Sequence, residues 1–160
     1  QPRVIKQNRG SAGEGIWLCW LWDRATDSKV EIYPAKSYGE VSLGERMTVS
    51  RFAAAQAPSN LKLRTGSTIT VRDAIGALVT KSANDVAVVV AERLGGTESR
   101  FAQLMTVKAK SLGLENTRFV NASGLPDTRQ LTTARDMAIL AEAMLTDHAD
   151  YYHYFHYYHH

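Results

Sequence analysis

A hydroxyl and a carboxamide stand two positions apart in Ser82-Ala83-Asn84, between Lys81 and Asp85, just ahead of the apolar run Val86-Ala87-Val88-Val89-Val90. A hydroxyl can relay a proton, and a carboxamide can donate and accept at once, as a peptide bond requires. Side by side where a buried helix begins, the two could serve acyl transfer on a peptide, given a nucleophile. The plain alternative is that Ser82 and Asn84 are ordinary helix caps. A nucleophilic serine needs its base within reach, and Ser-x-x-Lys on a helix supplies both on one face. Ser11, Ser28, Ser37, Ser42 and Ser50 are followed three positions later by Glu14, Glu31, Glu40, Glu45 and Ala53, so none of them has the lysine. The pattern occurs at Ser59-Asn60-Leu61-Lys62, after Pro58. The local alternation there predicts a strand, on which those two side chains point to opposite faces.

The elements that must hold the triplet read as helix and turn from about residue 44 to 150. Met47-Thr48-Val49 is an extended piece, and Arg51–Gln56 a helical turn stopped before Pro58. Leu61-Lys62-Leu63 and Thr68–Val71 alternate and predict a small hairpin turning at Gly66. A helix over Val71–Val79 carries Ile75, Leu78 and Val79 on its apolar side. The next helix starts after Ser82, with Asn84 and Asp85 in its first turn and Gly95-Gly96 at its end. Its consecutive valines are mediocre helix formers, so burial must hold it. Thr97 caps a helix through Phe101, Leu104, Met105 and Leu112, stopped by Gly113. Phe119–Asn121 reads as an extended link and Ser123–Asp127 as a turn. Thr133 with Asp136 resembles a capping box, opening a helix whose inner face is Met137, Leu140, Ala141, Met144 and Leu145.

The order of these pieces is specific in combination. A helix leads to Thr80-Lys81-Ser82-Ala83-Asn84-Asp85, then a buried helix ends in Gly-Gly, and a further helix closes on Leu112-Gly113-Leu114. Asn116-Thr117-Arg118-Phe119-Val120-Asn121-Ala122-Ser123-Gly124-Leu125 and Thr132-Thr133-Ala134-Arg135-Asp136-Met137-Ala138 follow. Over residues 44–155 the chain resembles the D-alanyl-D-alanine carboxypeptidases, the low-molecular-mass penicillin-binding proteins. The resemblance implies an α/β fold of the penicillin-binding-protein/β-lactamase-like transpeptidase type, a helical lobe packed on an antiparallel sheet. This chain is expected to supply mainly the helical lobe, with the sheet incomplete. It also implies a serine-type carboxypeptidase acting on peptidoglycan stem peptides and binding β-lactams, in the periplasm or on the outer face of the bacterial cytoplasmic membrane. No metal or organic cofactor is expected, and peripheral membrane association is possible. By resemblance, Ser82 would pass a proton to the leaving D-alanine and Asn84 would grip the substrate backbone.

Such enzymes combine Ser-x-x-Lys, Ser-x-Asn and Lys-Thr-Gly. Lys-Thr-Gly does not occur here, and Arg64-Thr65-Gly66 precedes Ser82 where the third element should follow it. The expectation is therefore an inactive chain. Either a family core is flanked by foreign sequence, as in a fragment or an altered reading frame, or the protein is a non-catalytic relative that binds peptidoglycan. The first residue, Gln1, fits a processed product or a fragment.

Composition narrows the partners. Of 160 residues, 44% are hydrophobic and 22% charged, with a formal charge of +3, as in an ordinary globular domain. No Lys/Arg block stands out, so nucleic acid is not an expected partner. The single Cys19 excludes an internal disulfide. No apolar run is long enough to span a bilayer. Composition suggests three parts: residues 1–43, unassigned and atypical for the family; the core 44–150; and a Tyr/His-rich tail, 151–160. Trp17, Trp20 and Trp22 could form a sugar-stacking or membrane-surface patch, though core packing or disorder is the favoured reading. His148, His153, His156, His159 and His160 could bind a metal. Their spacing fits no closed structural site, which favours a frayed or appended terminus.

Overall fold

The computed structural model describes residues 3–4, 22–26, 29–32 and 40–156. Cys19, Trp17, Trp20, His159 and His160 lie outside them, and of Trp22 only the backbone is described. Seven short strands are present among the described residues: β1 Arg3–Val4, β2 Trp22–Thr26, β3 Lys29–Ile32, β4 Glu40–Ser42, β5 Arg46–Thr48, β6 Thr68–Thr70 and β7 Leu131–Thr132. They make three antiparallel sheets, β1-β7, β2-β3-β4 and β5-β6, rather than one. The helices are α1 Arg51–Ala54, α2 Val71–Lys81, α3 Asn84–Gly95, α4 Glu98–Ser111 and α5 Ala134–Asp147. A 3-10 helix over Ala149–His156 follows. The protein is thus mostly helical with small, incomplete sheets, as expected of an isolated helical lobe.

The centre of the core is α3. Residues Asn84 to Ala91, Leu94 and Gly95 are all buried, and the helix packs on α1, α2, α4 and β5. A helix buried all round gains its stability from packing. Each fully covered valine contributes about 1.5–3 kcal/mol by leaving water, which outweighs a propensity penalty of less than about 0.7 kcal/mol. Local chemistry sets the other helices. Ser50 Oγ accepts from Ala53 N at 2.9 Å and caps α1. Thr70 Oγ accepts from Asp73 N at 3.1 Å and opens α2, and Thr97 does the same for α4 through Arg100 N at 3.2 Å. Gly96 and Gly113 then end α3 and α4 with positive φ.

Four expectations change. Leu61–Leu63 is not a strand: β6 pairs instead with β5, in the register Met47↔Ile69, and Gly66 only turns the chain into β6. The backbone N–H groups of Leu61 and Leu63 go to a carboxylate, as described below, so no ladder can form there. Ala141 and Leu145 face outward, Leu145 with 52% exposure, while Leu140 and Met144 point inward with Met137 beside them. The segment 1–43, without assigned structure from sequence, holds β1, β2, β3 and β4. Residues 151–156 are not a frayed end: they lie in the 3-10 helix, which packs against α2 and α5 with Tyr154 buried.

Candidate functional site

Helices α2 and α3 meet at Ser82. The last turn of α2 carries Thr80, whose hydroxyl donates to Gly76 O at 2.7 Å. Ser82 then takes φ 53° and ψ 47°, a left-handed conformation, and its N–H closes the helix on Leu78 O at 3.1 Å. That conformation costs an L-residue about 1–2 kcal/mol, which is why glycine or asparagine usually takes it. Ser82 is half-buried. The N-cap of α3 is Ala83, which has no side chain able to cap. Neither Ser82 nor Asn84 is therefore the ordinary N-cap that the bland reading of the triplet supposes.

Asn84 and Asp85, each only 1% exposed, clasp the loop that follows α1. Asn84 N–H donates to Ser59 O at 2.8 Å, and Asn84 Nδ2 donates to Ala57 O at 2.9 Å. The Asp85 carboxylate accepts from Leu61 N at 3.0 Å, Leu63 N at 3.1 Å and Val86 N at 2.9 Å. Three N–H donors satisfy a buried carboxylate that is in no ion pair among the described residues. The role of Asp85 as an anchor for a distant loop was not read from sequence. An acid in the first turn of a helix signals only a favourable dipole.

Ser59 completes the clasp: its hydroxyl donates to Lys81 O at 2.9 Å. Lys62 is exposed, with φ 57°. The Ser59-Asn60-Leu61-Lys62 segment is thus a loop with its serine tied to backbone and no serine–lysine hydrogen bond. Asn84, expected to grip a substrate backbone, lies beneath the surface with its amide nitrogen committed to Ala57. Among the described residues its Oδ1 accepts no hydrogen bond.

A second polar centre lies at Asp136, 2% exposed. Its carboxylate accepts from Thr117 Oγ at 2.6 Å and Asn116 N at 2.9 Å. Thr133 Oγ accepts from Asp136 N at 3.1 Å, which is half of the expected capping box. The other half is redirected, because the carboxylate turns to the 116–117 segment. Burial pushes the Asp136 carboxyl up, but the bonds from Thr117, Thr133 and Asn116 and the Lys110 charge together hold it below the ordinary value. On the surface, hydrogen bonds from Arg129 lower Asp127 to about 2.

A cavity of about 750 Å³ opens elsewhere, between α4 and the chain on either side of Phe119, with Thr106, Lys110, Arg118 and Leu131 among its lining residues. Neither Ser82 nor Asn84 lines it. Among the described residues no three His, Cys, Asp or Glu side chains come together as metal ligands. No helix among them is long and apolar enough to cross a membrane.

These helices, with a Ser-x-Asn corner and fragmentary sheets, define a penicillin-binding, DD-carboxypeptidase type of fold. Solved structures agree. The D-alanyl-D-alanine carboxypeptidase DacD of Francisella tularensis matches with a TM-score of 0.78 and 27% identity, over 97% of this chain and 34% of that one. Penicillin binding protein 6B of Escherichia coli matches with a TM-score of 0.73 and 26% identity, over 94% of this chain and 46% of that one.

The D-alanyl-D-alanine carboxypeptidase (Peptidase S11) family model matches residues 29–160, and the chain belongs to that family. The D-alanyl-D-alanine carboxypeptidase DacF of Bacillus subtilis is 35% identical over 114 residues, 71% of this chain and 29% of the relative. DacC of Escherichia coli, another D-alanyl-D-alanine carboxypeptidase, is 33% identical over 119 residues, 71% of this chain and 30% of the relative. The chain thus spans about three tenths of the length of these relatives.

Proposed function

We propose that this chain carries the Ser-x-Asn part of a serine-type D-alanyl-D-alanine carboxypeptidase site and engages peptidoglycan stem peptides and β-lactams without turning them over. The observation that supports this most is Ser82, a hydroxyl kept in a left-handed corner where glycine would be free of strain. In this reading Ser82 passes a proton toward the leaving D-alanine. Asn84 acts from below: its nitrogen fixes the loop at Ala57, and among the described residues its buried Oδ1 accepts no hydrogen bond. This reading includes a location in the periplasm or on the outer face of the bacterial cytoplasmic membrane, where such partners are met.

The motifs of this sequence support the inactivity. With no Ser-x-x-Lys on a helix and no Lys-Thr-Gly, the chain lacks the nucleophile, its base and the expected carboxylate holder. Loss of a nucleophile alone removes about a millionfold of rate while binding groups survive. The same absence favours a second reading, a non-catalytic peptidoglycan-binding domain.

Intact-mass measurement after incubation with benzylpenicillin tests the inactivity, and the expected result is no adduct. An adduct on any serine overturns it, and one on Ser59 restores the Ser59–Lys62 pair as nucleophile and base. Amide chemical shifts then test binding. Titration with a stem pentapeptide is expected to move Ser82, Ala83 and Asn84 first. Unmoved amides at millimolar peptide would remove the site.

A further inference from the structure

The chain from Arg46 to Arg72 holds five cations, Arg46, Arg51, Lys62, Arg64 and Arg72, and no Asp or Glu. The whole protein carries only +3, so positive charge is concentrated here. All five side chains are exposed. Two of them, Lys62 and Arg64, sit on the loop that Asp85 clasps. Lys81, also exposed, is the last residue of α2, immediately before Ser82, and its carbonyl is tied to Ser59 on the same loop. Hydrogen bonds from Ser59, Leu61 and Leu63 thus fix two segments together beside Ser82, and Lys62, Arg64 and Lys81 project from them. Among the described residues none of the three is in an ion pair. The carboxylate beneath them, Asp85, is enclosed and bonded to three backbone N–H groups, so it offsets one positive charge and exposes none.

Exposed cations on two segments held together by such a clasp can present positive charge to one anionic group. Their field is strongest where no neighbouring acid cancels it. We infer that Lys62, Arg64 and Lys81 form a carboxylate-recognising subsite next to Ser82, which selects stem peptides bearing a free side carboxylate over the same peptides with that group as a primary amide. This rests on the binding of stem peptides at Ser82 proposed above and adds a chemical preference to it. Exposed ion pairs are individually weak, so the preference comes from the set and is screened by salt.

The test is binding of two synthetic stem peptides, identical except for a side carboxylate or its primary amide, to the whole chain by calorimetry or amide shifts. The expected result is about fivefold tighter binding of the carboxylate at low salt, as a few exposed pairs would give. The ratio should fall toward one at 0.5 M NaCl and in Lys62→Gln/Lys81→Gln, but not in Arg100→Gln at the start of α4. Equal binding of both peptides by the unaltered protein overturns the subsite and leaves the Ser82 reading standing. No binding of either peptide removes both. A preference that survives in the double variant overturns the assignment to these lysines. The comparison of peptides on the unaltered protein decides the matter even if that variant does not fold.

Discussion

Ser82 sets a steric preference against a chemical one. Its backbone conformation favours glycine, and the half-buried hydroxyl has no role as cap of the helix that follows. Ser82→Gly relieves about 1–2 kcal/mol of left-handed strain and should be more stable than Ser82→Ala, which loses the same hydroxyl. Ser82→Ala keeps the strain and should gain nothing. Both should weaken the stem-peptide response at Ala83 and Asn84. Such a trade of stability against function marks a residue kept for chemistry. If Ser82→Gly lowers stability by more than about 1 kcal/mol, the hydroxyl is structural and the site loses its main support. Urea denaturation of the three proteins makes the comparison. The Ser-x-Asn spacing was legible in sequence because it is local. The burial of Asn84 and the loop-binding role of Asp85 were not, because their partners lie 22 to 27 residues away and are backbone groups that any sequence presents.

At the scale of elements, the join between α3 and α4 depends on two glycines with different reasons. Gly96 has φ 76° and open space around the position of a Cβ. Gly95 is an ordinary helical residue, but a Cβ there would lie 2.8 Å from Phe101 N and 2.9 Å from Phe101 Cα. Helix propensity alone would make Gly95→Ala stabilising by about 1 kcal/mol. The contact is with backbone, which cannot swing aside, so overpacking should win and cost about 1–3 kcal/mol net. Chemical denaturation with Gly96→Ala as companion checks the sign: a gain in stability at Gly95 would mean that the two helices part easily. Sequence marked this pair as one helix stop, since a close helix crossing leaves no local trace. The same limit explains the misplaced hairpin. Alternation identified Thr68–Thr70 correctly as a strand, but its true partner, Arg46–Thr48, lies beyond α1 and the clasped loop. Helices, by contrast, were legible through apolar spacing and through Thr97 and Thr133, whose hydroxyls accept at the expected N-termini.

For the molecule as a whole, Asp136 joins regions that the sequence keeps apart. It lies in the first turn of α5, holds Asn116 and Thr117 beyond the end of α4, and through Thr117 reaches Thr132 on β7, where β1 also pairs. Each bond to the charged carboxylate is stronger than its neutral counterpart, and removing the charge from a buried network costs about 1–3 kcal/mol. Because the folded protein holds this carboxyl below its ordinary 3.8, the unfolded chain binds the proton more readily. The stabilisation is therefore complete above about pH 4 and is lost as pH falls through the lower, folded value. Asp127 is lowered too, but it is an exposed partner of Arg129 and adds little. Asp136→Asn should thus be less stable than the unaltered protein by about 1–3 kcal/mol at pH 6, and the gap should narrow steadily below pH 4. Urea midpoints measured from pH 2.5 to 6.5 for both proteins test this. A gap of constant size across that range would show that the shape of the side chain, and not its charge, holds α5 to the rest of the lobe.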